Sequence, residues 1–385
     1  MLRHAALVLC LALAPAAMAQ QAADAVAPEA ATATGALDLG PEVAAAYAAR
    51  DAGTPAKADD WMIAAANPHA VLAGARVLRA GGTAADALVA VQAMLGLVEP
   101  QSSGLGGGGF LLYWDAAAGQ LSTLDGRETA PLAATPRLFQ TEDGETLGFF
   151  DAVLGGLSVG VPGMPALLGE AHARWGVLPW AGLFDDAIVL ADAGFAVSPR
   201  LAALVAADAA RLARFPGTAA YFLPGGAPLA EGDTLRNPAY AGTLRALASD
   251  GAGAFYAGPI ARDIVAAVQG APGNPGLLSE TDLAIYRVKD RDPVCAPYRV
   301  YVVCGMGPPS SGGLTVAQIL GLLAPYDLAA LGPDDPKAWR LIGDAARLAF
   351  ADRGLYIADS DFVPVPAKGL IDPAYLRDRA RLLDR

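Results

Sequence analysis

Apolar residues recur at helical spacing through most of the chain. The pattern predicts a helix over Pro68–Arg79 and a second helix that ends at Pro100. Thr83 with Asp86 three residues later predicts a capping box at the start of the second helix. Apolar side chains lie nearly all round that helix, so we expect it to be buried. Further helices are predicted over residues 164–175, 180–193, 199–214, 238–249, 260–268 and 314–323, with a short helical turn after Ser279.

Short apolar stretches predict a smaller number of strands. Within residues 99–131 the pattern indicates a strand over 110–114, a turn over 116–119 and a returning strand over 120–124. Other strands are predicted over 62–66, 157–161 and 292–303, the last with a turn near Ala296-Pro297. The chain is therefore expected to mix many helices with a few short strands.

A loop rich in serine and glycine, residues 102–109, precedes the first strand of the 99–131 stretch, and Arg127 follows the second strand. Glycine allows φ > 0 and a close approach of backbone to a ligand or another segment. The Gly-x-Gly-x-x-Gly spacings do not predict a dinucleotide site, because a helix precedes the loop and a strand follows it. A guanidinium at a strand end can grip a carboxylate with two parallel hydrogen bonds. Arg127 is thus a candidate carboxylate-binding residue, with an ordinary surface ion pair as the open alternative.

Composition and charge narrow the classes of partner. The 385 residues are 54% hydrophobic and 17% charged, enough apolar material for a large core, and their length would ordinarily suggest two domains. A net charge of −12 argues against nucleic acid and anionic membranes as partners. A local basic pocket for a small acidic substrate remains compatible with that charge.

The N-terminus has the features of an export signal. Residues 1–19 combine Arg3, a short apolar region and an Ala17-Met18-Ala19 cleavage site, and the apolar run is too short to span a bilayer. We therefore expect a periplasmic or secreted protein without a membrane anchor. Residues 20–57 are rich in alanine, proline and threonine and are interpreted as a low-complexity leader or loosely docked arm.

Few residues suit metal or triad chemistry. After export the remaining cysteines are Cys295 and Cys304, a candidate disulfide whose geometry the sequence does not give. His69 and His172 have no cysteine or paired acid at metal-ligand spacing, so neither a metal site nor a Ser-His-Asp triad is expected. Ser310 and Ser311 either contact a ligand or, as we favour, pin a turn and cap the helix that follows.

Several motifs resemble the gamma-glutamyltranspeptidase family. That family has a GGGGF loop, here at 106–110, followed by an Arg-Glu-x-x-Pro element, here at 127–131. Gly307 stands where the family usually has the first of three prolines. Other similar motifs follow in the family's order: Ala65-Ala66-Asn67-Pro68, Ala80-Gly81-Gly82-Thr83-Ala84-Ala85-Asp86-Ala87, Gly160-Val161-Pro162-Gly163, Phe195-Ala196-Val197-Ser198-Pro199-Arg200 and Pro308-Pro309-Ser310-Ser311-Gly312-Gly313.

The resemblance implies a fold and a substrate class. The fold would be α+β, a four-layer α-β-β-α sandwich of the N-terminal nucleophile hydrolase type that is incomplete without a small subunit. Residues 58–385 would be the large-subunit region. Arg127 would bind the α-carboxylate of the γ-glutamyl group in glutathione or a related small molecule, and no cofactor or metal is implied.

The resemblance also implies a mechanism that this chain does not hold by itself. The family's nucleophile is a threonine that becomes the N-terminal residue of the small subunit when the precursor cleaves itself, and its own amine serves as the base. None of the threonines here lies in a Thr-Thr-His-like or Thr-Ser-His-like sequence. We therefore expect no catalytic residue in this chain, with the nucleophile and the small subunit lying beyond it and this chain inactive alone.

Two other functions stay open. One is a cephalosporin acylase-like amidase of the same superfamily, which would accept acyl groups without the α-amino acid head. The other is a non-catalytic binding subunit, if the gene ends near Arg385.

Overall fold

The computed structural model describes residues 40–384. The predicted signal peptide, residues 1–19, and the first part of the predicted leader, residues 20–39, lie outside the described residues. The chain forms two compact units. Of the described residues, the first unit contains 40–107 and 128–286, and the second contains 108–127 and 287–384.

Helices and short strands together give an α+β fold, in agreement with the prediction. The helices, in chain order, are α1 Gly40–Asp51, α2 Pro68–Arg79, α3 Ala84–Val98, α4 Phe149–Val153, α5 Met164–Trp175, α6 Asp185–Ala193, α7 Pro199–Leu212, α8 Pro216–Phe222, α9 Pro238–Asp250, α10 Gly258–Gln269, α11 Glu280–Ile285, α12 Gly312–Leu323, α13 Leu328–Leu331, α14 Pro336–Tyr356, α15 Ala367–Leu370 and α16 Pro373–Ala380. The strands are β1 Gly109–Asp115, β2 Gln120–Gly126, β3 Phe195–Ala196, β4 Thr234–Leu235, β5 Lys289–Asp290, β6 Val294–Tyr298 and β7 Tyr301–Gly305.

The core of the first unit is built around α3, which packs against α2, α5 and α6. Its side chains are buried on nearly every face, as its sequence predicts. Close packing against α2 depends on Gly74, because a Cβ there would lie 2.7 Å from Val91 Cγ2 and 2.1 Å from Ile63 Cδ1. Burying Leu97, which is 1% exposed, contributes about 2–3 kcal/mol to stability.

A capping box starts α3, as predicted. The Thr83 hydroxyl accepts from the Asp86 N–H at 3.2 Å, and the Asp86 carboxylate accepts from the Thr83 N–H at 2.9 Å. The same carboxylate accepts the backbone N–H groups of Val177 and Leu178, so it joins two distant segments. Burial raises the pKa of Asp86, but these hydrogen bonds outweigh burial and hold the pKa below its ordinary value.

In the second unit, β1, β2 and β5 form an antiparallel sheet with β2 in the centre. β1 and β2 pair from Gly109↔Gly126 to Asp115↔Gln120, and β5 pairs with the end of β2 through Asp125↔Lys289. The separate core of this unit lies among α12, α14 and α16 and contains Leu322, Leu341 and Leu376.

Several boundaries differ from the sequence predictions. The turn predicted at Ala296-Pro297 is wrong: β6 continues through both residues, and the chain reverses at Arg299, which adopts a φ of 55°. The strands predicted over 62–66 and 157–161 are also wrong, since the first forms no strand and the second contributes only an isolated bridge at Val161. The helix predicted over 180–193 begins as a 3-10 turn, Trp180–Phe184. Tertiary packing decides such short apolar runs because both helix and strand can bury them.

Among residues 40–384, seven helices lie where none was predicted: α1, α4, α8, α13, α14, α15 and α16. α1 falls within the predicted leader and buries Val43, and α14 is a long helix capped by Asp335. Within residues 40–384, no helix has the length and apolar composition needed to cross a lipid bilayer.

Candidate functional site

Arg127 lies directly beyond the last residue pair of the β1–β2 hairpin, Gly109↔Gly126. Its side chain is exposed, and its guanidinium carbon lies 6.0 Å from the centre of the Phe110 ring. Its backbone N–H donates to Asp125 Oδ1 at 2.9 Å. The strand therefore presents a cation at its end, while the main chain of that cation is fixed by a buried carboxylate that is 7% exposed.

A chain of ion pairs continues from Asp125. Arg291 Nε and Nη2 donate to Asp125 Oδ2 at 3.1 and 2.9 Å. The same guanidinium donates through Nη1 and Nη2 to the two oxygens of Asp361 at 2.5 and 2.8 Å. Lys289 Nζ donates to Asp361 at 2.5 Å. We call these four residues the Asp125 chain.

The charges of the Asp125 chain reinforce one another. Hydrogen bonds to Asp361, opposed by desolvation and aided by bonds to Asp125, raise the pKa of Arg291 above its ordinary value. Hydrogen bonds from Arg291, and then from Lys289, hold the pKa of Asp361 well below its ordinary value. Arg291 and Asp361 are therefore both charged at neutral pH.

The glycine loop, residues 102–109, has ordinary negative-φ backbone. None of Gly104 and Gly106–Gly109 is among the described glycines with φ > 0. A Cβ at Gly106 would meet no heavy atom within 4 Å, and one at Gly104 would meet only the Gly106 nitrogen at 4.0 Å. Packing among the described residues therefore does not itself require these two glycines. The carbonyl of Gly107 accepts the N–H groups of Gly163 and Met164 at 2.9 and 3.0 Å, which holds the loop on the start of α5.

A second buried carboxylate stands where the glycine loop begins. Glu99 is 1% exposed and accepts from Asn67 Nδ2 at 2.9 Å and from Gln101 Nε2 at 2.5 Å. Arg200 Nη1 reaches the same carboxylate at 3.4 Å and Nη2 reaches Ser102 Oγ at 3.4 Å. The Glu99 carbonyl accepts the N–H groups of Ser102 and Ser103 at 3.0 Å. We call Glu99, Asn67, Gln101 and Arg200 the Glu99 cluster.

The segment after Arg127 is tied down at two points within the first unit. Thr129 forms an antiparallel bridge with Val161. The N–H of Leu132 donates to Asp282 Oδ1 at 2.8 Å, and Asp282 also forms a capping box with Ser279 at the start of α11. Burial raises the pKa of Asp282, but the hydrogen bonds outweigh burial and lower it.

The other candidate residues have structural partners. Ser310 Oγ accepts the Gly312 N–H at 3.3 Å, whereas Ser311 Oγ accepts from Arg353 Nε at 2.9 Å and makes no cap. Cys295 and Cys304 face each other across β6 and β7 and are joined by a disulfide with a Cα–Cα distance of 4.1 Å. His172 Nε2 lies 2.8 Å from the Leu178 carbonyl oxygen and 3.5 Å from Asp86 Oδ1. Burial lowers the pKa of His69.

Among residues 40–384, no group of three or more histidine, cysteine, aspartate or glutamate side chains is arranged to hold a metal ion. The site at the end of β2 contains one exposed arginine, Arg127, whose backbone N–H is held by Asp125, and Asp125 is ion-paired with Arg291.

The family model described as gamma-glutamyltranspeptidase matches residues 70–385. The chain belongs to the gamma-glutamyltranspeptidase family. It is 38% identical over 327 residues to a glutathione hydrolase proenzyme of Bacillus subtilis, which covers 84% of this chain and 55% of the relative. It is 41% identical over 339 residues to the acylase ACY 1 proenzyme of a Pseudomonas strain, which covers 86% of this chain and 59% of the relative.

The fold agrees with that membership. The crystal structure of Helicobacter pylori gamma-glutamyltranspeptidase superimposes with a TM-score of 0.81 at 35% identity, and the match covers 85% of this chain and 93% of that chain. The family relatives have the N-terminal nucleophile hydrolase fold, as predicted. The chain spans little more than half the length of the two proenzymes.

Sequence analysis proposed Arg127 as a candidate site residue but did not include the residues that hold its main chain. Asp125 could have been found from the sequence. The side chain of an aspartate often accepts the backbone N–H of the residue two positions later, which here is Arg127. Arg291 was not detectable, since it lies 166 residues from Asp125 in the sequence. Glu99 was overlooked as the end of a helix, although its backbone carbonyl accepts the N–H groups of Ser102 and Ser103 at the start of the glycine loop.

Proposed function

We propose that the protein containing this chain transfers or hydrolyses γ-glutamyl groups of glutathione and related small molecules. The nucleophile would be a threonine beyond this chain, released as an N-terminal residue by self-cleavage of a precursor. Its hydroxyl attacks the γ-glutamyl amide, a γ-glutamyl-enzyme forms as the amine leaves, and water or an amino acid then accepts the acyl group. The partner of this chain is the small subunit cut from the same precursor.

Arg127 carries this proposal on the side of the present chain. An exposed guanidinium at the end of a strand, with its backbone fixed by Asp125, suits bidentate recognition of the donor's α-carboxylate. Holding that carboxylate aligns the γ-carbonyl with the nucleophile and lowers the entropic part of the barrier. Family membership and the proenzyme relatives support the same chemistry.

The first experiment is an intact-mass measurement of the complete gene product under denaturing conditions. Two fragments, the smaller beginning with threonine, support the self-cleaving mechanism. A single species that ends near Arg385 removes the nucleophile and contradicts the enzymatic proposal.

The second experiment is Arg127→Ala in the processed protein. We expect KM for a γ-glutamyl donor to rise about 100-fold, because a bidentate charge-assisted contact is lost. Arg127→Lys recovers little, since an ammonium cannot form the fork. Arg347→Ala, at an arginine whose side chain is 84% exposed, is the matched control and leaves KM unchanged. An unchanged KM in Arg127→Ala contradicts the assignment.

A second function has specific support, because one relative at 41% identity is an acylase proenzyme. A glutaryl donor keeps the terminal carboxylate of the γ-glutamyl group and lacks only its amine. If kcat/KM for a glutaryl donor exceeds that for the γ-glutamyl donor, the acylase proposal replaces the transpeptidase proposal. We also propose that residues 1–19 act as an export signal that directs either activity out of the cytoplasm. Fractionation of cells that express the natural gene tests this localisation.

A further inference from the structure

We propose that Asp125 is a positioning residue that fixes the direction of Arg127, and that Arg291 and Asp361 hold Asp125 in place for this purpose. This inference rests on the proposed role of Arg127 and deepens it. It concerns three side chains outside the glycine loop and the Arg-Glu-x-x-Pro element.

The two oxygens of Asp125 have separate tasks. Oδ1 accepts the backbone N–H of Arg127 at 2.9 Å, and Oδ2 accepts two donors of the Arg291 fork at 2.9 and 3.1 Å. One carboxylate therefore joins the main chain of Arg127 to a guanidinium that approaches from another segment. Its position at 7% exposure keeps solvent from competing for either task.

Arg291 is itself fixed to the same strand. Its backbone N–H donates to the Thr123 carbonyl at 3.3 Å, and its own carbonyl accepts the Thr123 hydroxyl. Its side chain then reaches Asp125, the next residue on that face of β2. Asp361 accepts the remaining donors of the guanidinium and also accepts from Lys289 Nζ. The arginine is thus held by main chain and side chain together, with its side chain 13% exposed.

Gly126 explains why Arg127 needs a residue that fixes its main chain. It separates Asp125 from Arg127 and has no Cβ to restrict its φ and ψ. The bond from Asp125 to the Arg127 N–H spans Gly126 and adds to the Gly109↔Gly126 pairing a restriction on the direction in which the chain leaves β2. A carboxylate-binding fork must be held within roughly 0.5 Å and 10–20° of its working geometry. Loss of Asp125 would leave Arg127 present but misdirected.

The test compares Asp125→Ala with wild type, alone and in an Arg127→Ala background, using the processed protein and a γ-glutamyl donor. We expect Asp125→Ala to raise KM about tenfold, with kcat changed less than about threefold. In the Arg127→Ala background the same change should have no further effect on kcat/KM, because residues that act as a unit are not additive. Asp125→Asn keeps an oxygen acceptor for the Arg127 N–H and should recover part of KM.

A donor without the carboxylate separates positioning from general damage. A 4-aminobutyryl donor retains the amine and lacks the α-carboxylate, so Asp125→Ala should leave its kcat/KM unchanged. Should Asp125→Ala fail to fold, Asp361→Asn is the second variant, since that side chain is 29% exposed, and KM is expected to rise about threefold. Asp344→Asn, another aspartate paired with arginines, is the control without a KM effect.

The outcomes distinguish the two proposals. If Arg127→Ala raises KM but Asp125→Ala does not, the positioning role of Asp125 is wrong, and the carboxylate-binding role of Arg127 is kept. If Asp125→Ala lowers kcat/KM equally for both donors, or by the same factor with and without Arg127, its role is structural and the inference is overturned. If Arg127→Ala itself leaves KM unchanged, the proposed carboxylate-binding role of Arg127 is contradicted, and the positioning role of Asp125 is contradicted with it.

Discussion

Two buried carboxylates lie at either end of the glycine loop and hairpin in the sequence, and they are satisfied in different ways. Glu99 receives two neutral amide donors, with Arg200 at the limit of hydrogen-bond distance. Asp125 receives the fork of Arg291, which a second carboxylate holds in turn. We therefore expect Glu99, which has two neutral donors, to tolerate the loss of Arg200. Loss of Arg291 instead leaves Asp125 buried without the cation that holds it.

Removing the arginine from each region gives the largest expected difference. Arg291→Met should lower the free energy of unfolding by about 3–5 kcal/mol, because Asp125 remains buried without its cation. Arg200→Met should cost only about 1 kcal/mol, because Glu99 keeps both amide donors. Urea unfolding of the two variants beside wild type measures the difference. Equal losses would show that the two carboxylates are held alike.

A charge introduced into the Glu99 cluster tests the other region. Asn67 caps α2 by accepting the His69 N–H at 3.0 Å and donates to Glu99. Asn67→Ala should cost about 1–2 kcal/mol through loss of the cap and one hydrogen bond. Asn67→Asp keeps the cap acceptor but places a second carboxyl against Glu99, and should cost about 2–4 kcal/mol at neutral pH.

The sign of the pH effect in Asn67→Asp follows from like charge. The negative charge of Glu99 raises the pKa of the introduced carboxyl above its unfolded value, so the folded state is favoured when that carboxyl is protonated. The variant should therefore gain stability relative to Asn67→Ala as pH falls from 7 to 5. Thermal unfolding across that range measures it, and a constant gap between the variants would contradict direct contact with Glu99.

The smallest expected effect is the acid response of the Asp125 chain. Hydrogen bonds from Arg291 and then Lys289 lower the pKa of Asp361 below its ordinary value of 3.8. Its contribution to stability is thus present above pH 3.8 and is lost as pH falls through the lower folded-state pKa. Asp361→Asn should be less stable than wild type at pH 6, and this gap should shrink between pH 4 and 2.

Asp344→Asn is the matched control for loss of one negative charge in the same unit. Unfolding by urea at each pH gives the comparison. A gap between wild type and Asp361→Asn that stays constant down to pH 2 would remove the ion pairs from the explanation of acid stability.

Local sequence signals were strong where one segment decides its own structure. The capping boxes at Thr83 and Ser279, proline at the start of α7 and the all-round apolar pattern of α3 each act within a few residues, and each was predicted correctly. The 292–303 turn was misplaced because the pattern there contains several turn-compatible residues. The chain reverses at Arg299 in the unusual positive-φ region, which no residue preference at that position indicated.

The sequence by itself determined the helices with clear caps, the β1–β2 hairpin, the family membership and Arg127 as the candidate carboxylate-binding residue. Each follows from short-range pattern or from motifs contiguous in the chain. Only the tertiary structure decided which side chains hold Arg127. Arg291, directly after β5, reaches Asp125 because β5 pairs with β2, and Asp361 in turn accepts from Arg291. Such contacts depend on how distant segments pack, and the spacing of residues along the chain does not predict them.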